Sequence, residues 1–224
     1  VLGRRRVWEI QEARYTEAVL KMGAPSALQG TIYPMISMVI SRMAGEFGDA
    51  AIAVLRVGGQ IESLTWNIAN GFGSAMNAFA AQNYGAGKMK RVRQGYKISL
   101  VIVAVWAGFI SLLFIFVPKP ISSIFFHTAE EIRLSADYLM VIGVGEIFMC
   151  VELMSVGSIS GLGNTKVCSV ISIIFTAIRI PLAMVLSRTS LGVDGLWWAL
   201  TISSIIKGIL FVITFYKECR KKEN

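Results

Sequence analysis

Six stretches of this chain are long and apolar enough to cross a lipid bilayer, and this restricts its fold more than any other feature. They run Ala24–Ala44, Ala50–Ala81, Ile98–Val117, Leu134–Gly157, Val167–Leu186 and Leu196–Tyr216. A span takes about 20 residues, and the second stretch is long enough to cross with tilt. The chain is 54% hydrophobic and only 16% charged, with a mean hydropathy of +0.62. A soluble domain normally carries about 25% charge, so this apolar excess exceeds what one aqueous core needs. The same numbers exclude disorder. The expectation is an all-α membrane protein: residues 1–22 as an interfacial linker, 23–216 as a six-helix transmembrane lobe, and 217–224 as a basic tail.

The net charge of +8 does not indicate a nucleic-acid partner, because the basic residues lie between apolar stretches rather than on one soluble face. They sort by side. One side collects Arg4, Arg5, Arg6, Arg14 and Lys21, then Lys88, Lys90, Arg91, Arg93 and Lys97, then Lys166, then Lys217, Arg220, Lys221 and Lys222. The other side has Arg42, Lys119, Arg133 and Arg188. Such a bias places the richer side, and with it both termini, in the cytoplasm of a plasma-membrane protein. Residues 7–22 put Trp8, Tyr15, Val19 and Met22 on one helical face, as expected of a helix lying in the membrane interface. The opening VLGRRRVWEI is too basic for a cleavable signal, and Val1 in place of Met suggests a piece of something longer.

Catalytic and metal chemistry find little support. Cys150, Cys168 and Cys219 are odd in number and lack ligand spacing, and His127 has no His or Cys near it in sequence. No cofactor or metal is expected, and no Ser/His/Asp arrangement stands out. Tyr84-Gly85-Ala86-Gly87-Lys88 lacks the spacing of a phosphate loop and follows no strand. Pro25 is expected to open the first span, whereas Pro34 and Pro181 lie inside spans and should kink them.

The polar residues inside the spans carry the functional signal. Arg56, Gln60, Ser63, Asn67, Asn70, Ser74 and Asn77 step by four and three, which lines all seven along one face of the second helix. That face must meet water or another helix, since lipid would leave it unsatisfied. Interhelical hydrogen bonding would explain one or two such residues; seven in register point to a solvated cavity wall. Weaker stripes occur at Ser26, Gln29, Tyr33 and Ser37, and at Ser172, Thr176 and Arg179. Glu62, Glu146, Glu152, Arg179 and Lys207 also lie deep in spans. An unpaired charge there costs about 2.5–3.5 kcal/mol on insertion scales, so these five must pair, neutralise or face water. Depth allows Glu62 or Glu152 to meet Arg179 or Lys207. Glu146 and Glu152 are too far apart around their helix to share a site.

Several motifs in order resemble a known family. Gly59-Gln60-Ile61-Glu62-Ser63-Leu64, Ala80–Lys88, Gly161-Leu162-Gly163-Asn164-Thr165, Arg179-Ile180-Pro181-Leu182 and Gly192–Trp197 are similar to stretches of MATE (multidrug and toxic compound extrusion) transporters. Lys21–Gln29 resembles the start of the C-terminal lobe of those proteins. The resemblance implies twelve helices in two six-helix lobes, of which this chain is helices seven to twelve, with the N-terminal lobe as its partner. It implies exchange of Na⁺ or H⁺ for small organic, often cationic, compounds across a central cavity. It also implies that Glu146 and Glu152 stand for the tenth-helix carboxylates of members with a cation site in this lobe. The first span has no carboxylate, a departure that shifts the expected coupling site towards the other lobe. A lipid-linked saccharide flippase of the same superfamily, or a non-transporting membrane scaffold, are the alternative readings.

Overall fold

The computed structural model describes the backbone of residues 2–223 and the side chains of residues 16, 17, 20 and 23–223. It is all helical among these residues: α1 (Leu2–Gly45), α2 (Asp49–Gly85), α3 (Met89–Phe116), α4 (Pro118–Phe125), α5 (Ala129–Gly161), α6 (Thr165–Ala177), α7 (Arg179–Ser187) and α8 (Asp194–Glu223). With α6 and α7 taken as one interrupted rod and α4 as a short connector, six long rods remain. Four units meet both length and hydropathy for crossing a membrane: Met89–Phe116, Ala129–Gly161, Thr165–Ser187 and Asp194–Glu223. The remaining long rods, α1 and α2, are the two whose spans carry polar residues on their exposed faces.

Three features depart from the sequence expectations. Pro25 does not open a helix, because α1 runs unbroken from Leu2 to Gly45 with both Pro25 and Pro34 inside it. The side chains of Trp8, Tyr15, Val19 and Met22, on which the interfacial-helix reading rests, lie outside the described residues. The third rod begins at Met89 rather than near Ile98, since the basic run through Lys97 is helical although it is not apolar. Third, α4 forms between the third and fourth expected spans, with Pro118 at its first turn, where the missing N–H leaves no bond unmade. The fifth rod breaks at Ile178, three residues before Pro181. Proline cannot donate to the preceding turn and clashes with it, which accounts for the interruption.

α5 is the central rod, with α2, α3 and α8 packed around it and α4 across one end. α1 closes the remaining side, packing on α2, α6 and α7. Small residues set these distances. A Cβ on Gly157 of α5 would run into the backbone of Gly73 of α2, and one on Gly161 into that of Asn77. On the opposite flank, a Cβ on Gly208 of α8 would lie 2.5 Å from the Phe148 carbonyl oxygen of α5. Such backbone-to-backbone approach replaces the hydrophobic drive that lipid does not provide.

The glycine-rich motifs turn out to be helix ends. After α2 the Lys88 amide donates to the Asn83 carbonyl at 2.8 Å, and Gly87 has φ +69°. After α5 the Asn164 amide donates to Ile159 at 3.3 Å, with Gly163 at φ +82°. Both are Schellman caps, which need a residue in the left-handed region that only glycine enters without cost.

Candidate functional site: a buried charge network and an open polar face

The sequence-selected residues separate into two groups. Arg56, Gln60, Asn67, Asn70, Ser74 and Asn77 are exposed on the outer face of α2, and Ser63 is half-buried beside them. Among the described residues, the hydrogen bond these seven side chains make is Ser63 Oγ to the Gln60 carbonyl of their own helix, at 2.6 Å. They therefore do not join helices within the lobe. Tyr33 and Ser37 of α1 are exposed too. Elsewhere the long exposed side chains are apolar: Ile98, Val101, Val105, Phe109 and Leu112 on α3, and Val170 and Ile174 on α6. The lobe thus has one polar flank, on α1 and α2, and an otherwise lipid-like perimeter.

This contrast gives a direct expectation. With Cys150, Cys168 and Cys219 replaced by Ala, single cysteines at Asn67, Asn70 and Ser74 of the full-length protein should react readily with a small aqueous thiol reagent. Cysteines at Val105 and Leu112 should react at least about tenfold more slowly, since thiolate forms only where water reaches. Equal rates in the two sets would remove the distinction between a wet flank and a lipid flank.

The five ionisable residues point the other way, into the lobe, and all are buried. Lys207 Nζ of α8 donates to Glu152 Oε1 of α5 at 2.9 Å. Glu62 of α2 accepts from the Tyr138 hydroxyl of α5. Gly58, one turn before Glu62, leaves the space that the Tyr138 ring occupies. Trp197 meets that ring edge-on, with centroids 4.9 Å apart. Arg179, at the start of α7, donates from Nε to Ser203 Oγ at 3.1 Å and from Nη2 to Ser204 Oγ at 3.0 Å. Of the four carboxylate–cation pairings that depth allowed, the structure forms Glu152–Lys207.

Two adjoining cavities lie along this network. The first, about 120 Å³, is lined by Glu62, Tyr138, Arg179 and Ser204 together with Tyr33 and Trp66. The second, about 200 Å³, is lined by Glu152, Lys207, Arg179 and Ser172, again with Tyr33 and Trp66. Arg179 thus borders both. Glu152 Oε2 and Ser172 Oγ have no hydrogen-bond partner among the described residues, and a space of this size with such groups in its wall accommodates water or a small cation. Glu146 lines neither cavity. It is fully buried, with the Cys150 thiol donating to its Oε1 at 3.9 Å. The two α5 carboxylates therefore do occupy separate surroundings.

Sequence reading missed Tyr138, Ser203, Ser204 and Trp66. Each is a polar or aromatic residue inside a span, so composition marked them weakly. Their importance comes from partners on other helices, 76 residues away for Glu62 and Tyr138 and 24 for Arg179 and Ser203.

The MatE family model matches residues 25–185. The chain belongs to the MatE family. A Thermotoga maritima relative named probable multidrug resistance protein NorM is 28% identical over 204 residues, covering 88% of this chain and 43% of the relative. Human multidrug and toxin extrusion protein 1 is 23% identical over 96% of this chain and 39% of its own length. A relative in Shewanella oneidensis, 25% identical over 83% of the chain, is named FAD transporter. Among solved structures, the bent form of the Vibrio cholerae MATE transporter VcmN superposes with a TM-score of 0.87 over 94% of this chain, at 19% identity. This MatE chain covers 48% of that structure and so spans less than half the length of the relatives it matches.

Proposed function

We propose that this MatE chain is one six-helix lobe of a cation-coupled antiporter exporting small organic compounds, cationic drugs among them, with an N-terminal six-helix lobe as its partner. The observation that supports coupling within this lobe is the buried Glu152–Lys207 pair beside a cavity, with Glu152 Oε2 left over. Intramembrane ionisable groups facing a cavity mark ion paths. A proton is favoured over Na⁺ here. The ammonium of Lys207 already compensates Glu152 at 2.9 Å. A proton arriving at Oε2 neutralises the carboxylate and loosens Lys207, whereas Na⁺ at Oε2 would sit against the repulsion of the ammonium already bound at Oε1. Glu62, bonded to Tyr138 and bordering the first cavity with Arg179, offers a second carboxylate along the same route.

The polar flank of α1 and α2 is the proposed cavity wall towards the partner lobe. Its charged member is Arg56, and the first span supplies no carboxylate. The wall itself supplies amides and hydroxyls, and negative charge of this lobe comes beside it from Glu152, which shares the second cavity with Asn70 and Gln29.

The test is transport by the full-length protein in proteoliposomes with imposed pH and Na⁺ gradients, normalised to folded protein. Glu152→Gln and Glu62→Gln are each expected to lower proton-driven efflux at least about tenfold and to flatten its pH dependence, because Gln keeps the volume but cannot carry the proton. Unchanged efflux with an unchanged pH profile in both variants would assign these residues to structure and place coupling in the other lobe.

A further inference from the structure

The last turns of α8 carry a group of basic residues that the transport reading does not use. Lys217, Arg220 and Lys221 are exposed and form no ion pair among the described residues. Their neighbours are committed. Arg93 pairs with Glu223 at 2.5 Å, and Lys222 donates to the Tyr84 hydroxyl at 3.0 Å, with its ammonium 4.2 Å from the Tyr84 ring centroid. Glu218, the remaining acid of this stretch, lies about 100° round from Lys217 and about 60° from Lys221, and it forms no ion pair with either among the described residues.

Below these three cations the same helix face is apolar. Ile206, Ile209 and Ile213 are 39%, 47% and 44% exposed, at the spacing that places them under Lys217 and Arg220. An open recess of about 500 Å³ lies at the upper end of this face, lined by Val212, Ile213, Tyr216, Lys217, Arg220 and Lys221, all of α8. Its aromatic wall is held in place, since Tyr216 meets Phe215 and Tyr96 edge-on at 5.6 and 5.8 Å. Tyrosine at such a height is typical of the boundary between acyl chains and headgroups.

We propose that this end of α8 binds an anionic phospholipid. Lys217, Arg220 and Lys221 receive the headgroup phosphate, and one acyl chain lies along Ile213, Ile209 and Ile206. A soluble phosphate shares the first half of this chemistry but not the second. The charges and the apolar stripe are continuous, so the lipid is the occupant that satisfies both. The site is independent of the buried charge network and of the coupling ion.

The test uses the full-length protein in a zwitterionic detergent, with thermal unfolding and native mass spectrometry as readouts. Short-chain phosphatidylglycerol should bind at least about tenfold more tightly than phosphatidylcholine and raise the unfolding temperature, while inorganic phosphate at matched concentration should not. Each cation near such a surface is worth about fivefold. Lys217→Gln/Arg220→Gln/Lys221→Gln should therefore bring the two lipids to within about twofold. Lys166→Gln, a basic residue elsewhere, should leave the preference intact. If the triple variant does not fold, Arg220→Gln alone should lose about fivefold in phosphatidylglycerol affinity. Wild-type preference in the Gln variants, equal protection by inorganic phosphate, or equal loss in Lys166→Gln would each overturn the proposal.

Discussion

Lys207→Met is expected to destabilise the protein by about 3–5 kcal/mol, whereas Glu152→Gln/Lys207→Met together should cost far less. Lys207 and Glu152 are buried, 4% and 6% exposed, and 2.9 Å apart. Removing the ammonium alone strands a carboxylate whose Oε2 already lacks a partner. Removing both charges leaves an amide and a thioether of similar volume, and replacing a buried pair by neutral groups is often neutral or stabilising. Thermal unfolding of the four members of this cycle, in one detergent, measures the coupling between the two residues. Additivity of the single changes would mean that the pair does not form. The cycle also separates structure from transport. A double variant that folds like the wild type but has lost its pH-dependent efflux would show that the pair serves ion exchange rather than stability.

Gly157→Leu should be at least as damaging, with little folded protein recovered and a loss above about 3 kcal/mol in whatever folds. Its Cβ has no space, because the Gly73 backbone of α2 occupies the position. A flexible side chain can move aside, but two rods in backbone contact can only separate, and doing so would undo the α2–α5 seam. Gly71 on the polar flank has no atom within 4 Å of where its Cβ would lie. Gly71→Ala should therefore be neutral or gain up to about 1 kcal/mol from the better helix propensity of alanine. Expression and unfolding temperature of the two variants check this contrast. Similar behaviour of both would mean that α2 and α5 do not touch at Gly73.

How far the sequence led depends on whether a feature is local. The apolar rods are local, and α2, α5 and the α6–α7 rod lie within about five residues of the stretches that hydropathy marked, whereas α1 and α3 begin well before theirs and α8 runs on through the basic tail. The boundary of α3 moved because Lys88–Lys97 is basic but contains residues that accept a helix readily. The polar face of α2 was legible because seven residues at helical spacing leave no other geometry. The pairing of charges was not. Depth along the membrane narrowed the partners of Glu152 to two, yet the choice between Arg179 and Lys207 depends on rotation of α5, α7 and α8 about their axes. For the same reason Tyr138 was missed: a tyrosine inside a span gives no indication that a glycine on another helix has made room for it. Pro25 misled because helix-opening statistics were applied to a residue that lies within α1.

The glycine seams also decide which parts of the lobe can shift. α2, α5 and α8 are keyed together by backbone contact at Gly73, Gly157, Gly161 and Gly208, so they behave as a single wall that cannot slide without losing its fit. Opposite stand α1 and the interrupted rod α6–α7, which close the two cavities with longer side chains such as Tyr33 and Arg179. The interruption at Ile178 leaves that second wall a joint at the height of Arg179. The end of α7 is keyed to that frame too, since a Cβ on Gly195 of α8 would run into the Leu186 carbonyl carbon, so a change in cavity volume is borne by α1 and α6, turning against a frame that carries Glu62, Glu152 and Lys207.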